Sequence, residues 1–277
     1  MPSLRVIRAL ALSCHLLPTA AVTAVSAALA ALAGLPIGQG ALVVATVFTG
    51  QLSIGWSNDY LDADRDRAVQ RPDKPIVTGA VQRRSVGIAA GVALLTTSAL
   101  SVALGWPGGA VALATVLAAW TYNLRLKATP WSWLPYAVAF GLAPAIVTLS
   151  ASPAHWPAVW VLAAFALLGV AAHLANVLPD LSDDIAHGIR GLPHRIGARP
   201  TALITAAILL AASAVILFGP PGQLGPWSWA GFVAALLVAG AATGFAYRDP
   251  SSRRFFLAII LIAAIDLVSF GLSGIRL

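Results

Sequence analysis

Apolar stretches recur nine times along the 277 residues, at about 9–33, 39–57, 85–104, 109–124, 131–150, 157–178, 200–218, 229–247 and 254–273. Each is near the roughly 20 residues that carry a helix across a hydrocarbon core of about 30 Å. In lipid every backbone N–H and C=O must be satisfied within the chain, so such stretches fold as helices. The composition points the same way. Only 10% of residues are charged and 59% are hydrophobic, with a mean hydropathy of +0.85, whereas about a quarter of a soluble chain is charged. A soluble enzyme, a disordered chain and a disulfide scaffold are therefore excluded. The single cysteine, Cys14, has no internal partner. The expectation is an all-α membrane protein of nine transmembrane helices, forming one domain over 1–277.

Charge orders the connections. Those at 34–38, 105–108, 151–156 and 219–228 hold no Lys or Arg, and sixteen of the seventeen basic residues fall at the amino terminus or in the alternate connections, Arg276 being the exception. The positive-inside rule makes the basic side cytoplasmic. The amino terminus then lies in the cytoplasm and, after nine crossings, the carboxyl terminus outside. The net charge of +7 is a topology signal, so no nucleic-acid partner is called for. Arg5 and Arg8 before an apolar run also resemble a signal peptide, but the run is long for one and His15 interrupts it.

All ten acidic residues are aspartate, and seven lie in two places: Asp59, Asp62, Asp64 and Asp66, then Asp180, Asp183 and Asp184. An offset of 118 pairs Asn58 with Asn176, Asp62 with Asp180, Asp66 with Asp184, Pro75 with Pro193 and Gly79 with Gly197 without a gap. Five matches at one offset predict two related halves. On a helix, residues four and eight apart share a face. Asn58, Asp62 and Asp66 thus form one oxygen-bearing stripe, which Asp59 can join, and Asn176, Asp180 and Asp184 form another. Asp64 and Asp183 fall off the stripes.

Carboxylates packed together repel, and aspartate is expensive within a membrane. Both penalties fall if the stripes face a wet cavity at the cytoplasmic end and share divalent cations. Oxygen donors without a cysteine or histidine cluster disfavour zinc and soft metals. They suit Mg2+, which takes one or two carboxylates, waters and the oxygens of a phosphate. Arg71 and Lys74 after the first stripe, Arg190 and Arg195 after the second, and Arg125 and Lys127 after the fourth apolar stretch make a phosphate the natural guest. Each of these cations also has a reading as a topology determinant alone.

The string from Asn58 to Asp66 resembles the first aspartate-rich motif of the UbiA superfamily of intramembrane prenyltransferases, and Asp180 to Asp184 resembles the second. The likeness extends over nearly the whole chain. It takes in the tails Arg71 to Gly79 and Gly188 to Gly197 and the segment Tyr122 to Lys127, which is similar to the family's tyrosine-and-lysine motif. The resemblance implies a bundle of nine transmembrane helices around a central cavity, with a cytoplasmic cap over two Mg2+ ions that hold an isoprenyl diphosphate. By carry-over, Asn58, Asp62, Asp66, Asn176, Asp180 and Asp184 would bind the metals, with Asp59 in support; Arg71, Lys74, Lys127 and Arg190 would hold the diphosphate. Two departures stand out. The family's motif lysine lies four residues after the tyrosine, where this chain has Leu126 between Arg125 and Lys127. In the second motif Val177 replaces the counterpart of Asp59.

Trp56, Tyr60, Trp120, Tyr122, Tyr136 and Phe140 are candidate aromatic faces for an allylic cation. Polar handles for a lipophilic acceptor are few: Cys14, His15, Gln51, Ser53, Ser132 and His173. His173, three residues before Asn176, is expected to point inward, where it would either orient or deprotonate an acceptor or serve as a packing histidine with its hydrogen bonds satisfied. Asp266 stands alone in the ninth stretch. Three functions remain: prenyl transfer to an aromatic or other lipophilic acceptor, cyclisation of the prenyl chain without an acceptor, and divalent-cation transport. Against transport, the carboxylates gather at one face instead of lining a path.

Overall fold

The computed structural model describes residues 2–186, 188–221, 225–249 and 254–272; Arg253 and Arg276 lie outside them. The described chain is helical: α1 (Pro2–Ser13), α2 (Leu16–Leu32), α3 (Ile37–Ala68), α4 (Arg83–Leu104), α5 (Gly108–Leu124), α6 (Leu134–Gly141), α7 (Ala143–Thr148), α8 (Val159–Val177), α9 (Leu181–Ala186), α10 (Leu192–Ile196), α11 (Ala198–Phe218), α12 (Pro226–Arg248) and α13 (Arg254–Leu272). Five helices among the described residues are long and apolar enough to cross a membrane. A sixth span forms if the bent pair of α1 and α2 is one crossing. Three shorter apolar helices accompany them, so a count of nine is not fixed by length and hydropathy alone.

Large apolar side chains point outward in quantity, Ile37, Leu95 and Val102 among them. In a soluble protein this would be an aggregating surface; here it is the face that lipid covers. Trp106, Trp156, Trp227 and Trp229 are exposed near helix ends, where indole rings suit the interface between lipid and water. Inside, small residues let the helices approach. Ala171, Ala175, Ala202, Ala212, Ala235 and Ala239 pack α8, α11 and α12 together, as expected where dispersion rather than water expulsion drives association.

Three of the expected helices are interrupted. The first apolar stretch breaks at Cys14–His15, where His15 adopts a left-handed conformation (φ 57°, ψ 61°), and α1 meets α2 at 70°. This elbow rests on α3 at Gly55, where an added Cβ would lie 2.4 Å from the Cys14 carbonyl oxygen. The stretch at 131–150 divides into α6 and α7, with Pro144 in the first turn of α7. The second aspartate stripe is not one α-helix either. Pro179 lies in a 3-10 turn, Leu178–Asp180, between α8 and α9, and that tighter winding rotates the later residues relative to Asn176.

The offset of 118 is visible in the backbone. The Arg71 N–H donates to the Asp66 carbonyl at 3.1 Å, and Ile189 N–H to Asp184 at 3.0 Å. Gln70 and Gly188 both have positive φ, as do Gly79 and Gly197. In each half, then, the chain leaves its aspartate helix through the same left-handed turn and enters the next long helix after the same glycine.

Candidate functional site

The helices enclose a cavity of about 1160 Å³. One end is lined by Asn58, Asp62, Arg65, Asp66, Arg71, Lys74, Lys127, Asn176, Asp180, Asp183, Asp184 and His194. The two stripes predicted from spacing therefore face one space.

At the end of α3, Asp62 is buried and accepts from Arg65 Nη2 at 2.8 Å on one oxygen and from the Lys127 ammonium on the other. Asp66 is only 4% exposed, yet its carboxylate has no hydrogen-bond or ion-pair partner among the described residues. Asn58 is oriented by Asn123. The Asn123 Nδ2 donates to the Ile54 carbonyl (3.0 Å) and to Ser57 Oγ (2.8 Å), which leaves its Oδ1 to accept from Asn58 Nδ2 (3.3 Å). The Asn58 oxygen is thereby left for another partner. Across the cavity Arg71 reaches Asp180 at 3.1 Å while also pairing with Asp73. His194 on α10 meets Asp184 at 3.2 Å.

The charges beside the cavity perturb one another. The Arg71 guanidinium holds Asp73 down to about 2, and Asp73, with Asp180, raises Arg71 in turn. Burial lowers the Lys127 ammonium below its ordinary value despite the opposing pull of Asp62.

Several expected residues are placed otherwise. Asp59 does not line the cavity: its Oδ1 takes His15 Nε2 at 3.0 Å and Lys74 Nζ at 2.6 Å, so it ties the α1–α2 elbow to the loop after α3. Arg125 and Arg190 are exposed and outside the lining; of the pair flanking Leu126, Lys127 faces the site. His173 is 1% exposed and lies behind the wall. It shares a hydrogen bond with Ser132 Oγ at 3.0 Å and packs against Tyr122 and Tyr136. Three residues along an α-helix turn about 60° short of a full circle, enough to aim His173 at α6 instead of the cavity. Ser132 is likewise withdrawn, accepting the Leu192 N–H. Of the six aromatic candidates, Tyr122, Tyr136 and Phe140 line the cavity. Trp56 and Trp120 spend their indole N–H groups on the Leu10 carbonyl and Ser53 Oγ, and Tyr60 lies under Arg83. Asp64 is exposed and paired with Arg67 and Arg83.

Arg65, Asn123 and His194 join the site without having been singled out. Arg65 carries a signal, being three residues after Asp62 on one helix; Asn123 reaches Asn58 across the fold, His194 reaches Asp184 from the next short helix, and neither pairing follows a helical spacing.

Among the described residues no three carboxylate, imidazole or thiol groups converge on one point; the chain's own cations stand among the carboxylates instead. The donors nonetheless fit Mg2+. They are all oxygens, and the ion asks for one or two carboxylates with water and phosphate making up the rest. Asp66, buried and unpaired, is the group that most needs a cation.

Comparison with known proteins places the chain in a family. A model of the UbiA prenyltransferase family matches residues 16–265. A digeranylgeranylglyceryl phosphate synthase of Methanoregula boonei is 36% identical over 79% of this chain and 81% of its own. The bacteriochlorophyll synthase 33 kDa chain of Cereibacter sphaeroides is 32% identical over 76% and 73%. Among solved structures, an apo UbiA homolog from Aeropyrum pernix K1 superposes with a TM-score of 0.74 at 18% identity, covering 92% of this chain and 98% of that one. A UbiA homolog from Archaeoglobus fulgidus bound to DMAPP and Mg2+ gives 0.67 at 16% identity, covering 99% of each.

Proposed function

The chain belongs to the UbiA prenyltransferase family, and on that premise we propose that it is a Mg2+-dependent intramembrane enzyme that ionises an isoprenyl diphosphate and passes the prenyl group to a lipophilic acceptor. The observation that carries this reading is the meeting of both aspartate stripes and of Arg65, Arg71, Lys74 and Lys127 around one cavity end, above an apolar interior. The protein is an integral membrane protein. On this reading the five long spans, the bent pair α1–α2 taken as one span, and Gly108–Leu124, Leu134–Thr148 and Ile260–Ser269 would make nine crossings, with the amino terminus and the aspartate end cytoplasmic.

Asn58, Asp62, Asp66, Asn176, Asp180 and Asp184 would hold two Mg2+ ions, which when bound supply positive charge to the diphosphate oxygens. Asp59 acts indirectly, fixing His15 and Lys74. Arg71 and Lys127 bind the diphosphate once its negative charge draws them from Asp180 and Asp62, and Lys74 is placed beside them. Arg125 and Arg190 belong to topology. Breaking the bond between C1 and oxygen sends the electron pair to the diphosphate and leaves an allylic cation. Preorganised cations favour that step because they interact more strongly with the leaving group as its charge grows. The faces of Tyr122, Tyr136 and Phe140 stabilise the cation, and the apolar walls keep water from it. The acceptor's nucleophilic atom then bonds to C1 and gives its proton to the released diphosphate. His173 serves as a packing residue behind Tyr122 and Tyr136.

The test is incubation of purified protein with Mg2+ and dimethylallyl, geranyl, farnesyl or geranylgeranyl diphosphate, with and without candidate phenolic and glycerol-ether acceptors. Diphosphate release that depends on an acceptor supports transfer. Release with a hydrocarbon product in its absence supports cyclisation. No release with any chain under any condition counts against both.

A further inference from the structure

Below its charged end the cavity carries a second polar feature that ionisation does not use. Asp266 on α13 lines the cavity wall, is 4% exposed, and takes one hydrogen bond, from Ser213 Oγ on α11 at 3.0 Å. No described cation pairs with it. Gln51 on α3 also lines the cavity, and its amide has no hydrogen-bond partner among the described residues. Gln51 lies eleven residues before Asp62, so at 1.5 Å per residue it sits about 16 Å further into the bundle. Asp266 is twelve residues into α13, about 18 Å from that helix's first residue. Around them the cavity is lined by Val25, Leu29, Val47, Phe165 and Leu267.

A carboxyl and an amide facing a cavity keep water on their free atoms. A hydrocarbon chain that runs past them must remove that water and offers nothing in return. We propose that Asp266, braced by Ser213, and Gln51 form a polar belt that selects against long prenyl tails, so that the preferred donors are short allylic diphosphates. The tail of a dimethylallyl or geranyl group stays above the belt, whereas a geranylgeranyl tail crosses it. This inference rests on the proposed function and names the substrate class of that same cavity.

The test is direct binding, which needs no acceptor. Unreactive S-thiolodiphosphates of dimethylallyl, geranyl, farnesyl and geranylgeranyl alcohols are titrated with Mg2+ into the full-length protein and into the variants Asp266→Leu, Gln51→Leu and Asp266→Asn. In the wild type, affinity should stop rising beyond the geranyl or farnesyl analogue. Asp266→Leu and Gln51→Leu should each raise the affinity for the geranylgeranyl analogue, relative to the dimethylallyl one, by about tenfold. Asp266→Asn, which keeps a polar group, should retain most of the wild-type discrimination. Ratios within twofold of wild type in both leucine variants, or wild-type affinity that climbs steadily to geranylgeranyl, would overturn the belt while leaving the proposed function intact. A wild type that binds none of the four overturns both.

Discussion

Replacing Asn123 by leucine, a residue of similar shape without hydrogen-bonding groups, isolates the orientation of Asn58 from the packing around it. Asn123 takes part in three hydrogen bonds, to Ile54, Ser57 and Asn58 at 3.0, 2.8 and 3.3 Å. At a net of about 0.5–1.5 kcal/mol each, their loss amounts to about 1.5–4.5 kcal/mol, partly offset by the leucine's own burial. The functional effect is separate from this. Once Asn58 no longer donates to Asn123, its amide is free to present nitrogen instead of oxygen to the cavity. Removing the partner that orients a ligand weakens metal binding by about 10–100-fold. Titration of diphosphate release with Mg2+ at saturating substrate should show the half-saturating concentration rise by that factor, while turnover at high Mg2+ recovers most of its wild-type value. Thermal unfolding in EDTA reports the stability loss independently. A lower unfolding temperature with unchanged Mg2+ half-saturation would refute the orientation argument and leave Asn123 as a packing residue.

If the two stripes act on one substrate, Asp66→Ala and Asp184→Ala should each reduce turnover by orders of magnitude and the double variant should fall little further. Asp64→Ala, which disturbs only exposed pairs with Arg67 and Arg83, should lose far less, and multiplicative losses at Asp66 and Asp184 would separate the stripes. Asp73 is held at about 2, below its ordinary 3.8. Its pairing with Arg71 is therefore present above the ordinary value and lost only as pH falls through about 2, so Asp73→Asn should leave the shape of the activity profile near neutral pH unchanged; loss of an acid limb near neutrality would contradict this. A reporter fused after Leu277 should behave as an external domain, and a cytoplasmic signal there would require an even number of crossings.

Apolar length made the helical membrane architecture legible, because lipid leaves the backbone no other way to satisfy its hydrogen bonds. The aspartate stripes were legible because a four-residue repeat maps directly onto a helix face. The breaks were less so. Pro144 and Pro179 announce theirs, but the elbow at His15 depends on a left-handed residue braced against Gly55, and no periodicity marks it inside an apolar run. Helix-face reasoning also failed for His173, because α6 packs where the cavity was expected. Asn123 and His194 reach Asn58 and Asp184 from other helices, and residues joined only by tertiary packing leave no spacing to read. The repeat fared better than its helical interpretation: the 3-10 turn at Leu178–Asp180 breaks the second stripe, yet the backbone bonds from Arg71 to Asp66 and from Ile189 to Asp184 keep the offset of 118.

The convergence of both stripes on one metal-bound diphosphate is tested most directly by diffraction from crystals of the protein with Mn2+ and geranyl S-thiolodiphosphate, read as anomalous difference density at the manganese edge. Two peaks between the analogue's diphosphate and the carboxylates, one beside Asp62 and Asp66 and one beside Asp180 and Asp184, are the predicted result. Peaks beside only one stripe, or a diphosphate held away from both, would contradict it.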